Sequence, residues 1–412
     1  MNKLIVLLVC LAVFAGPAYA GEGMWPLSNL PTATLQKQFG FTPTEQWIRH
    51  IQLASVRLAG GCSGSFVSPH GLVLTNHHCV VGCLEALSTP KNNLMSHFFY
   101  AAKRDDELKC PNMDIQQLVQ RDQVTNTIDK ATAGKQGAAY QDARRAAESA
   151  LEQHCVEGAP QKWRCQVVSL YHGGQYWLYK YRRYPDVRLV FAPSQQTSFF
   201  GGYPDNFNYP RYDYDVAIVR VYVDGKPART PEYFHFSAQG PKAGELVFTS
   251  GNPGSTERDF TVAQLKALRY PVFPDALQYL GHYQGLLEAF SAGSSENARI
   301  AQGTLFFVNN SIKSIDGQLK ALNNETQFTR KEKEEAELRA KVKADPKLEQ
   351  QYGDAWANIA TAQKIALDMG ERYGLIVRGV GFNARLFQIA FTLVLGAHER
   401  TLPEAERIGE YR

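Results

Sequence analysis

Residues 61–80 contain two short strand-like runs, with a tight turn between them and a cysteine beside each run. The first run is Gly64-Ser-Phe-Val-Ser and the second is Leu72-Val-Leu-Thr. Runs of this length, separated by Pro and Gly, are typical of the two strands of a hairpin. Cys62 and Cys79 flank the hairpin, so a disulfide between them would hold both strand ends together. The segment therefore predicts an antiparallel sheet.

Strand-like runs recur through the first 265 residues. Further runs begin at Val187, Val216 and Glu245. Asp224-Gly225 directly follows the run that begins at Val216 and favours a two-residue hairpin turn. Many short strands joined by frequent turns predict a β-barrel or a β-sandwich. We therefore expect a β-rich fold for this part of the chain.

Helical composition interrupts the β-rich part twice and dominates the rest. Residues 84–103 and 116–152 contain few strand formers, and the pattern from about residue 260 to the end is nearly all helical. Within it, the charged run 330–343 carries opposite charges at helical spacing and ends at Asp345-Pro346. We predict a leader at 1–20, a β domain at 21–265 and part of an α-helical domain at 266–412.

The first 20 residues are typical of an export signal. Lys3 precedes an apolar run, and Ala18-Tyr-Ala provides small residues at the cleavage positions. The apolar run is shorter than the roughly 20 residues of a membrane span, and no later stretch is apolar enough to replace it. We therefore expect a periplasmic or secreted protein without a membrane span.

Six cysteines remain after the leader, and an even number in an exported chain predicts disulfides. Zinc is the alternative, but the chain has no CxxC pair, and its cysteines are not grouped as zinc ligands usually are. We expect disulfides and no metal site, and the spacing leaves the pairing open. The cysteines are Cys62, Cys79, Cys83, Cys110, Cys155 and Cys165.

Charge and motifs argue against several classes of function. The formal net charge is only +4, and we expect no concentrated basic stretch, so nucleic-acid binding has little support. The sequence contains neither a Gly-rich phosphate loop nor an HExxH helix. No cofactor is predicted.

Polar residues at two strand ends suggest the parts of a nucleophilic site. His78 follows the second strand of the hairpin and directly precedes Cys79, which would fix its position. Catalysis by a serine requires a base held in this way and a carboxylate to orient it. Asp215, just before the apolar run at Val216, is the candidate carboxylate, and Asp213 is its local alternative. Taken alone, the pair His77-His78 would more often be an exposed pair without a role, or a metal site.

Several stretches resemble the bacterial dipeptidyl-peptidase 7 and 11 family, chymotrypsin-fold serine enzymes that remove dipeptides from peptide N-termini. The matching stretches are residues 22–26, 71–79, 200–211 and 250–258, in the order found in that family. The resemblance implies a chymotrypsin-like double β-barrel, present in part, with a mostly α-helical inserted domain. It also implies peptide substrates with a free N-terminus, and a homodimer.

The resemblance also implies a binding site for the amino group of the substrate. Asn206 would hold the free amine, and the aromatic ring of Phe207 would shape the same end of the site. Without the resemblance, Asn206 in Pro-Asp-Asn is equally well explained as a turn residue.

The sequence lacks the serine turn that this fold uses. Neither Gly-Asn-Ser-Gly nor Gly-Asp-Ser-Gly occurs, and the similar stretch at Gly251 has Pro253 at the nucleophile position, with Ser255 as a weak local alternative. In the family the serine follows the helical insertion, far beyond the aspartate. We therefore expect an N-terminal fragment of a serine dipeptidyl-peptidase that is inactive alone, because loss of one triad member costs orders of magnitude in rate.

Two other functions stay open at this point. A chymotrypsin-fold endopeptidase would share His78 and Asp215 but would not need Asn206. A non-catalytic periplasmic peptide-binding protein would bind peptides without turnover.

Overall fold

The computed structural model describes residues 24–89, 91–199, 206–208, 210–376, 385–408 and 411, so the predicted leader lies outside the described residues. Eleven strands within these ranges form one antiparallel sheet. The strands are β1 (Ser55–Leu58), β2 (Ser63–Phe66), β3 (Leu72–Thr75), β4 (Phe99–Tyr100), β5 (Leu108–Lys109), β6 (Ile115–Gln123), β7 (Trp163–Leu170), β8 (Gln175–Tyr184), β9 (Asp186–Ala192), β10 (Ala217–Val223) and β11 (Lys226–Pro227).

Helices flank the sheet and make up most of the second half of the described chain. They are α1 (Thr32–Phe39), α2 (Glu45–Ala54), α3 (Val81–Leu87), α4 (Thr125–Thr132), α5 (Gly137–Val156), α6 (Gln195–Ser198), α7 (Val262–Ala267), α8 (Phe273–Ala292), α9 (Ser295–Leu322), α10 (Glu325–Ala344), α11 (Pro346–Tyr352), α12 (Ala355–Ile376) and α13 (Arg385–Glu399). None of the described helices combines the length and the apolar character that a bilayer crossing requires.

The strand order determines which chain segments become neighbours. Hydrogen-bonded neighbours follow the order β4-β9-β10-β3-β2-β1-β6-β8-β7, with β5 added on β9 and β11 on β10. The pairing of β3 with β10 joins segments that are more than 100 residues apart in the sequence. The site described below forms where these two strands meet.

One face of the sheet carries the main core. Along β1 and β2, buried Val56, Leu58 and Phe66 alternate with more exposed residues, as expected for strands with one buried face. The ring of Phe66 packs edge-on against Tyr184 of β8, with ring centroids 5.9 Å apart. The hydrophobic effect on this face stabilises the hairpin predicted from residues 61–80.

The predicted hairpin turn at Asp224 is confirmed. Tyr222 pairs with Pro227 and Val223 pairs with Lys226, which leaves Asp224 and Gly225 as the two turn residues. Their φ angles are 51° and 72°, the left-handed values that a tight two-residue turn requires.

The expected disulfides are present, and they join the sheet to its flanking helices. Cys62–Cys79 links the start of β2 to the turn after β3, as the hairpin suggested. The other two are Cys83–Cys110, from α3 to the end of β5, and Cys155–Cys165, from α5 to β7.

The helical second half is also confirmed. The charged run lies in α10, where Arg330 and Lys331 both pair with Glu334 one turn away. Asp345 then ends this helix and caps the next one, because its side chain accepts the backbone N–H groups of Lys347 and Leu348.

Two helical predictions were wrong in part. Residues 116–152 begin with a strand, since β6 pairs with β1 on one side and with β8 on the other, and these partners override the local helix preference. In residues 84–103 the helix ends at Leu87, and the segment continues to β4, which pairs with β9.

The strand predicted at Glu245 was also wrong. Residues 245–249 form no strand ladder within the described part of the chain. Instead, the ring of Phe248 packs against Phe41 and Trp47, with centroid distances of 5.3 and 5.0 Å. The apolar residues that resembled a strand form an aromatic cluster beside α2.

A buried ion pair fixes the turn of the β2–β3 hairpin. The side chain of Glu107 is 2% exposed and accepts hydrogen bonds from Arg220 Nε at 2.9 Å and from the Tyr222 hydroxyl at 2.7 Å. Arg220 also donates to the backbone oxygen of His70 in the turn, at 2.8 Å. Burial and the bond to Glu107 raise the pKa of Tyr222 to about 12.

Replacing Glu107 by Ala should destabilise the protein strongly, because Arg220 would stay buried without its carboxylate. We expect a loss of about 3–5 kcal/mol in the free energy of unfolding, measured by urea denaturation. The control is Glu334→Ala, which removes the surface pairs with Arg330 and Lys331 and should cost less than about 1 kcal/mol. Equal losses for the two variants would show that the buried pair does not stabilise the fold.

Candidate active site

The histidine pair lies in a short turn at the end of β3. Residues His77–Cys79 form a single 3₁₀ turn directly after the strand. Thr75, the last residue of β3, donates its hydroxyl to the backbone oxygen of Ser63 at 2.8 Å, and Cys79 is bonded to Cys62. His78 is therefore held on both sides by attachments to β2.

Asp215 is the hydrogen-bond partner of His78. Its Oδ2 lies 2.7 Å from His78 Nδ1, and its Oδ1 accepts the backbone N–H of His78 at 3.0 Å. The Asn76 amide donates to the backbone oxygen of Asp215 at 2.9 Å and to its Oδ2 at 3.2 Å. The carboxylate is thus bound by Asn76 and His78 of one short segment and cannot rotate freely.

Strand pairing explains why these two residues meet. Ala217 of β10 lies opposite Thr75 of β3, so the residues just before β10 and just after β3 are adjacent at one end of the sheet. The side chain of Asp215 is 25% exposed and that of His78 is 56% exposed, so the carboxylate lies beneath the imidazole. With its proton on Nδ1, His78 presents Nε2 as a base.

Asp213, the alternative carboxylate, has another partner. Its Oδ2 forms an ion pair with Arg211 Nη2 at 3.1 Å. Asp213 acts on His78 only through its charge, as the weakest of the influences on the imidazole.

The electrostatics of the pair favour a charged imidazole. The hydrogen bond from Asp215 raises the pKa of His78, although burial opposes this change. Burial alone would raise the pKa of Asp215, but the hydrogen bonds and the charge of His78 outweigh it and lower that pKa. Asp215 therefore stays a carboxylate that can stabilise an imidazolium.

His77 differs from its neighbour in every respect. It is buried, and burial lowers the pKa of its imidazole, while a hydrogen bond to the backbone of Pro193 acts in the opposite direction. Its Nε2 has no hydrogen-bond partner in the described part of the chain. His77 is a packing residue, whereas His78 faces solvent.

The potential metal ligands at this place are already used. Atoms of Cys62, His78 and Cys79 that could bind a metal lie within 4.8 Å of one another. The two sulfur atoms are joined in a disulfide, however, and metal binding requires thiolates. This trio therefore does not form a metal site in its oxidised state.

Asn206 contacts the helical part of the chain. Its amide donates to Oδ1 of Asn310 in α9, while its own Oδ1 accepts from Arg211 Nη1 at 2.8 Å and from the backbone N–H of Phe207 at 3.1 Å. Phe207 has a φ of 58° and is 61% exposed, so its ring is available for contacts. The two predicted amine-binding residues thus lie beside a third polar residue, Asn310.

Asn310 was not predicted from any sequence motif. It lies 104 residues after Asn206, within a helix whose neighbouring residues form no recognisable motif. Aromatic packing supports the same contact, since the rings of Phe199 and Phe306 are 4.5 Å apart and Arg211 lies over Phe199. Of the motif at 200–211, residues 200–205 and 209 lie outside the described part.

The stretch that resembles a serine turn lies on the sheet. The backbone N–H of Asn252 donates to Ser63 Oγ at 2.6 Å, and a Cβ at Gly251 would come within 2.6 Å of the same atom, so glycine is required. Ser55 donates to the hydroxyl of Ser250 at 2.9 Å. No serine hydroxyl is hydrogen bonded to His78 among the described residues.

A histidine oriented by a carboxylate at Nδ1, with Nε2 open, is the base of hydrolases that activate a hydroxyl nucleophile. Sequence comparison then identifies the group. The profile of the family described as Peptidase S46 matches residues 20–412. The chain therefore belongs to the Peptidase S46 family.

Curated relatives carry related names. The chain is 31% identical to the Asp/Glu-specific dipeptidyl-peptidase of Shewanella putrefaciens, over 84% of this chain and 49% of the relative. It is 34% identical to dipeptidyl-peptidase 7 of Porphyromonas gingivalis, over 60% of this chain and 37% of the relative. The chain thus spans about half or less of the length of these relatives.

Solved structures share the fold. The crystal structure of Porphyromonas endodontalis DPP11 in complex with the dipeptide Arg-Glu matches with a TM-score of 0.66 and 21% sequence identity. The match covers 88% of this chain and 56% of that one. It supports an antiparallel sheet combined with helices as the architecture of the family.

Replacing Asp215 by Asn should lower the pKa of His78, because the carboxylate is the main cause of its elevation. NMR titration of the imidazole C–H resonances would measure the change. The folded-state pKa of His78 lies above its unfolded value of about 6.5. The bond between His78 and Asp215 therefore stabilises the fold fully below a pH of about 6.5, and this stabilisation is lost as the pH rises through the folded-state pKa. Asp215→Asn should remove this part of the pH dependence of unfolding, whereas unchanged titration of His78 would contradict the pairing.

Proposed function

We propose that this chain provides the base and the orienting acid of a serine dipeptidyl-peptidase. The observation that carries the proposal is the 2.7 Å contact between His78 Nδ1 and Asp215 Oδ2 in a member of the Peptidase S46 family. In this role His78 Nε2 removes the proton of the serine hydroxyl, and Asp215 stabilises the imidazolium that results.

The nucleophile is proposed to belong to the part of the relatives that this chain does not match. The curated relatives are about twice as long, and the sequence here contains no Gly-Asn-Ser-Gly or Gly-Asp-Ser-Gly turn. On this proposal His78 and Asp215 show no peptidase activity without the added serine, because the oxyanion hole is formed by the same turn.

Recognition of the substrate amine is assigned to Asn206 together with Asn310. Each amide oxygen has two lone pairs, and Asn310 Oδ1 accepts one hydrogen bond from Asn206, which leaves a second for an ammonium group. The exposed ring of Phe207 would cover the first side chain of the peptide. An amine held at a fixed distance from His78 would limit cleavage to the second peptide bond.

The finer architecture belongs to the same proposal. We assign residues 21–265 to the first part of a chymotrypsin-like double β-barrel and residues 266–412 to part of an inserted helical domain. The single sheet and its order support the first barrel, in which β3 and β10 carry the histidine and the aspartate.

Residues 1–20 are proposed to direct export to the periplasm or beyond, which the three disulfides support. A homodimer is proposed from the family resemblance alone.

Two alternatives predict different ligand behaviour. A chymotrypsin-fold endopeptidase would bind N-acylated peptides as well as free ones, since it needs no amine recognition. A non-catalytic peptide-binding protein would bind peptides without cleaving them in any version of the chain.

Replacing Asn206 by Ala should weaken binding of a free dipeptide such as Ala-Ala by about tenfold, because Asn206 positions the Asn310 oxygen that accepts the ammonium group, and a hydrogen bond to a charged group contributes about 1.5–3 kcal/mol. Binding of the N-acetylated dipeptide should stay unchanged, and isothermal titration calorimetry measures both. The matched control is Asn358→Ala, an exposed helical position that should affect neither ligand.

Equal weakening for both ligands would reject amine recognition and favour the endopeptidase. The catalytic part is tested with a version extended to the length of the relatives, by assaying dipeptide release before and after His78→Ala. Release that survives this substitution would reject His78 as the base.

A further inference from the structure

The β7–β8 hairpin concentrates positive charge and aromatic rings. Residues 161–184 contain five Lys or Arg and seven Tyr or Trp, and neither Asp nor Glu. The expectation that no basic stretch exists was therefore wrong for this hairpin. Because successive residues of a strand point to opposite faces, this charge divides between the two faces of the sheet.

Three arginines from neighbouring strands share the face opposite the core. Arg164 of β7 and Arg121 of β6 lie opposite Tyr181 and Tyr179 of β8, and residues opposite each other in an antiparallel pair share a face. The guanidinium of Arg57 in β1 lies 3.8 Å above the ring of Tyr181, so it is on this face as well. We call these five residues the arginine face.

The arginine face points away from the hydrophobic core. Val56 and Leu58, on either side of Arg57 in β1, are buried in that core. Tyr179 and Tyr181 are two residues apart on one strand, and their ring centroids are 6.3 Å apart. The ring of Tyr181 is buried beneath Arg57, and the ring of Tyr179 lies beside it, so the guanidinium group of Arg57 forms part of the outer layer of this face.

None of the three arginines has a carboxylate partner within the described residues. Arg57 donates only to neutral oxygens, those of Gln116 at 2.8 Å and Gln166 at 3.1 Å. The nearby carboxylate of Asp114 is bonded instead to Arg183, at 2.9 Å. The charge of Asp114 favours the charged form of Arg57 only from a distance, so the arginine face keeps more positive than negative charge.

The local environment makes this charge unfavourable as it stands. Burial lowers the pKa of Arg57, and the like charge of Arg164 lowers it further against the opposing influence of Tyr181. Burial also lowers the pKa of Arg121, whose Nη1 is buried without an acceptor in the described part of the chain. A carboxylate placed beside Arg164 would offset the repulsion between the guanidinium groups of Arg57 and Arg164.

From this arrangement we infer that the arginine face binds an acidic peptide segment through its carboxylates. A guanidinium matches a carboxylate with two parallel hydrogen bonds, and Arg164 is exposed and open to such a contact. Side chains on one face of an extended peptide repeat every ~7 Å. Arg164 and Arg121 lie opposite Tyr181 and Tyr179, which are two residues apart on β8, so the two arginines are offset along the strand direction by the same ~7 Å. Acidic residues at alternate positions of the peptide would therefore match the offset between Arg164 and Arg121.

A peptide fits this face better than a nucleic acid. Tight binding of a polyanionic backbone uses roughly 6–10 phosphate contacts, whereas this face offers three guanidinium groups and the whole chain carries a net charge of +4. The face is also separate from His78 and Asp215, so its occupancy does not depend on the proposed catalysis.

The test uses an acetylated and amidated peptide of alternating Glu and Ala, which has no free amine for Asn206 to bind. We expect this peptide to bind the chain at low ionic strength, and Arg164→Gln to weaken it by about tenfold in fluorescence anisotropy. Arg121→Gln should act in the same direction, and Arg164→Lys should restore part of the affinity. Asn358→Ala, at an exposed helical position, should bind the peptide as the unchanged chain does. Because the acetylated peptide has no free amine, the result is independent of the proposed amine site.

Controls separate specific binding from general charge effects. The exposed Lys333 lies in α10, so Lys333→Gln should leave the affinity unchanged, and the peptide in which Gln replaces Glu should not bind. Unchanged affinity after Arg164→Gln would overturn the inference, as would tighter binding of a single-stranded oligonucleotide of equal charge. If Arg121→Gln lowers the melting temperature, the exposed Arg164 variants decide the question alone.

Discussion

The pairing of β3 with β10 is the constraint on which the rest of the site depends. These strands are far apart in sequence, and their ladder brings Thr75 opposite Ala217. His78 lies in the 3₁₀ turn that follows β3, Asp215 lies just before β10, and the two side chains meet at 2.7 Å. A shift of the ladder by one residue would turn each side chain to the other face and separate the pair.

Two attachments protect that ladder at its opposite ends. The disulfide between Cys62 and Cys79 holds the histidine turn on β2, while the buried Glu107–Arg220 pair holds the far turn of the same hairpin through the backbone of His70. The disulfide also restricts the conformations of the unfolded chain, whereas the ion pair acts only in the folded state. The imidazole is therefore positioned by covalent and ionic contacts that lie outside the site.

Sequence reasoning found the local features of this protein and missed the distant ones. The hairpin at 61–80, the turn at Asp224 and the cysteines as disulfides were predictable because each rests on neighbouring residues. The strand β6 was missed because its stability comes from β1 and β8, and the strand at Glu245 was wrong because Phe248 packs instead on rings far away in sequence. The pairing of His78 with Asp215 was anticipated through the family pattern of residues before and after strands.

Asn310 shows why the remaining part of the site was beyond the sequence. A polar residue in a long helix is usually solvated, but this one is bonded to Asn206, and the packing of Phe199 on Phe306 lies beside that contact. The β part and the helical part are therefore coupled through the same side chain that is proposed to hold the substrate amine. A shift of α9 relative to the sheet would move Asn310 and change the distance between the amine and His78, so the helical part would set where a peptide is cut.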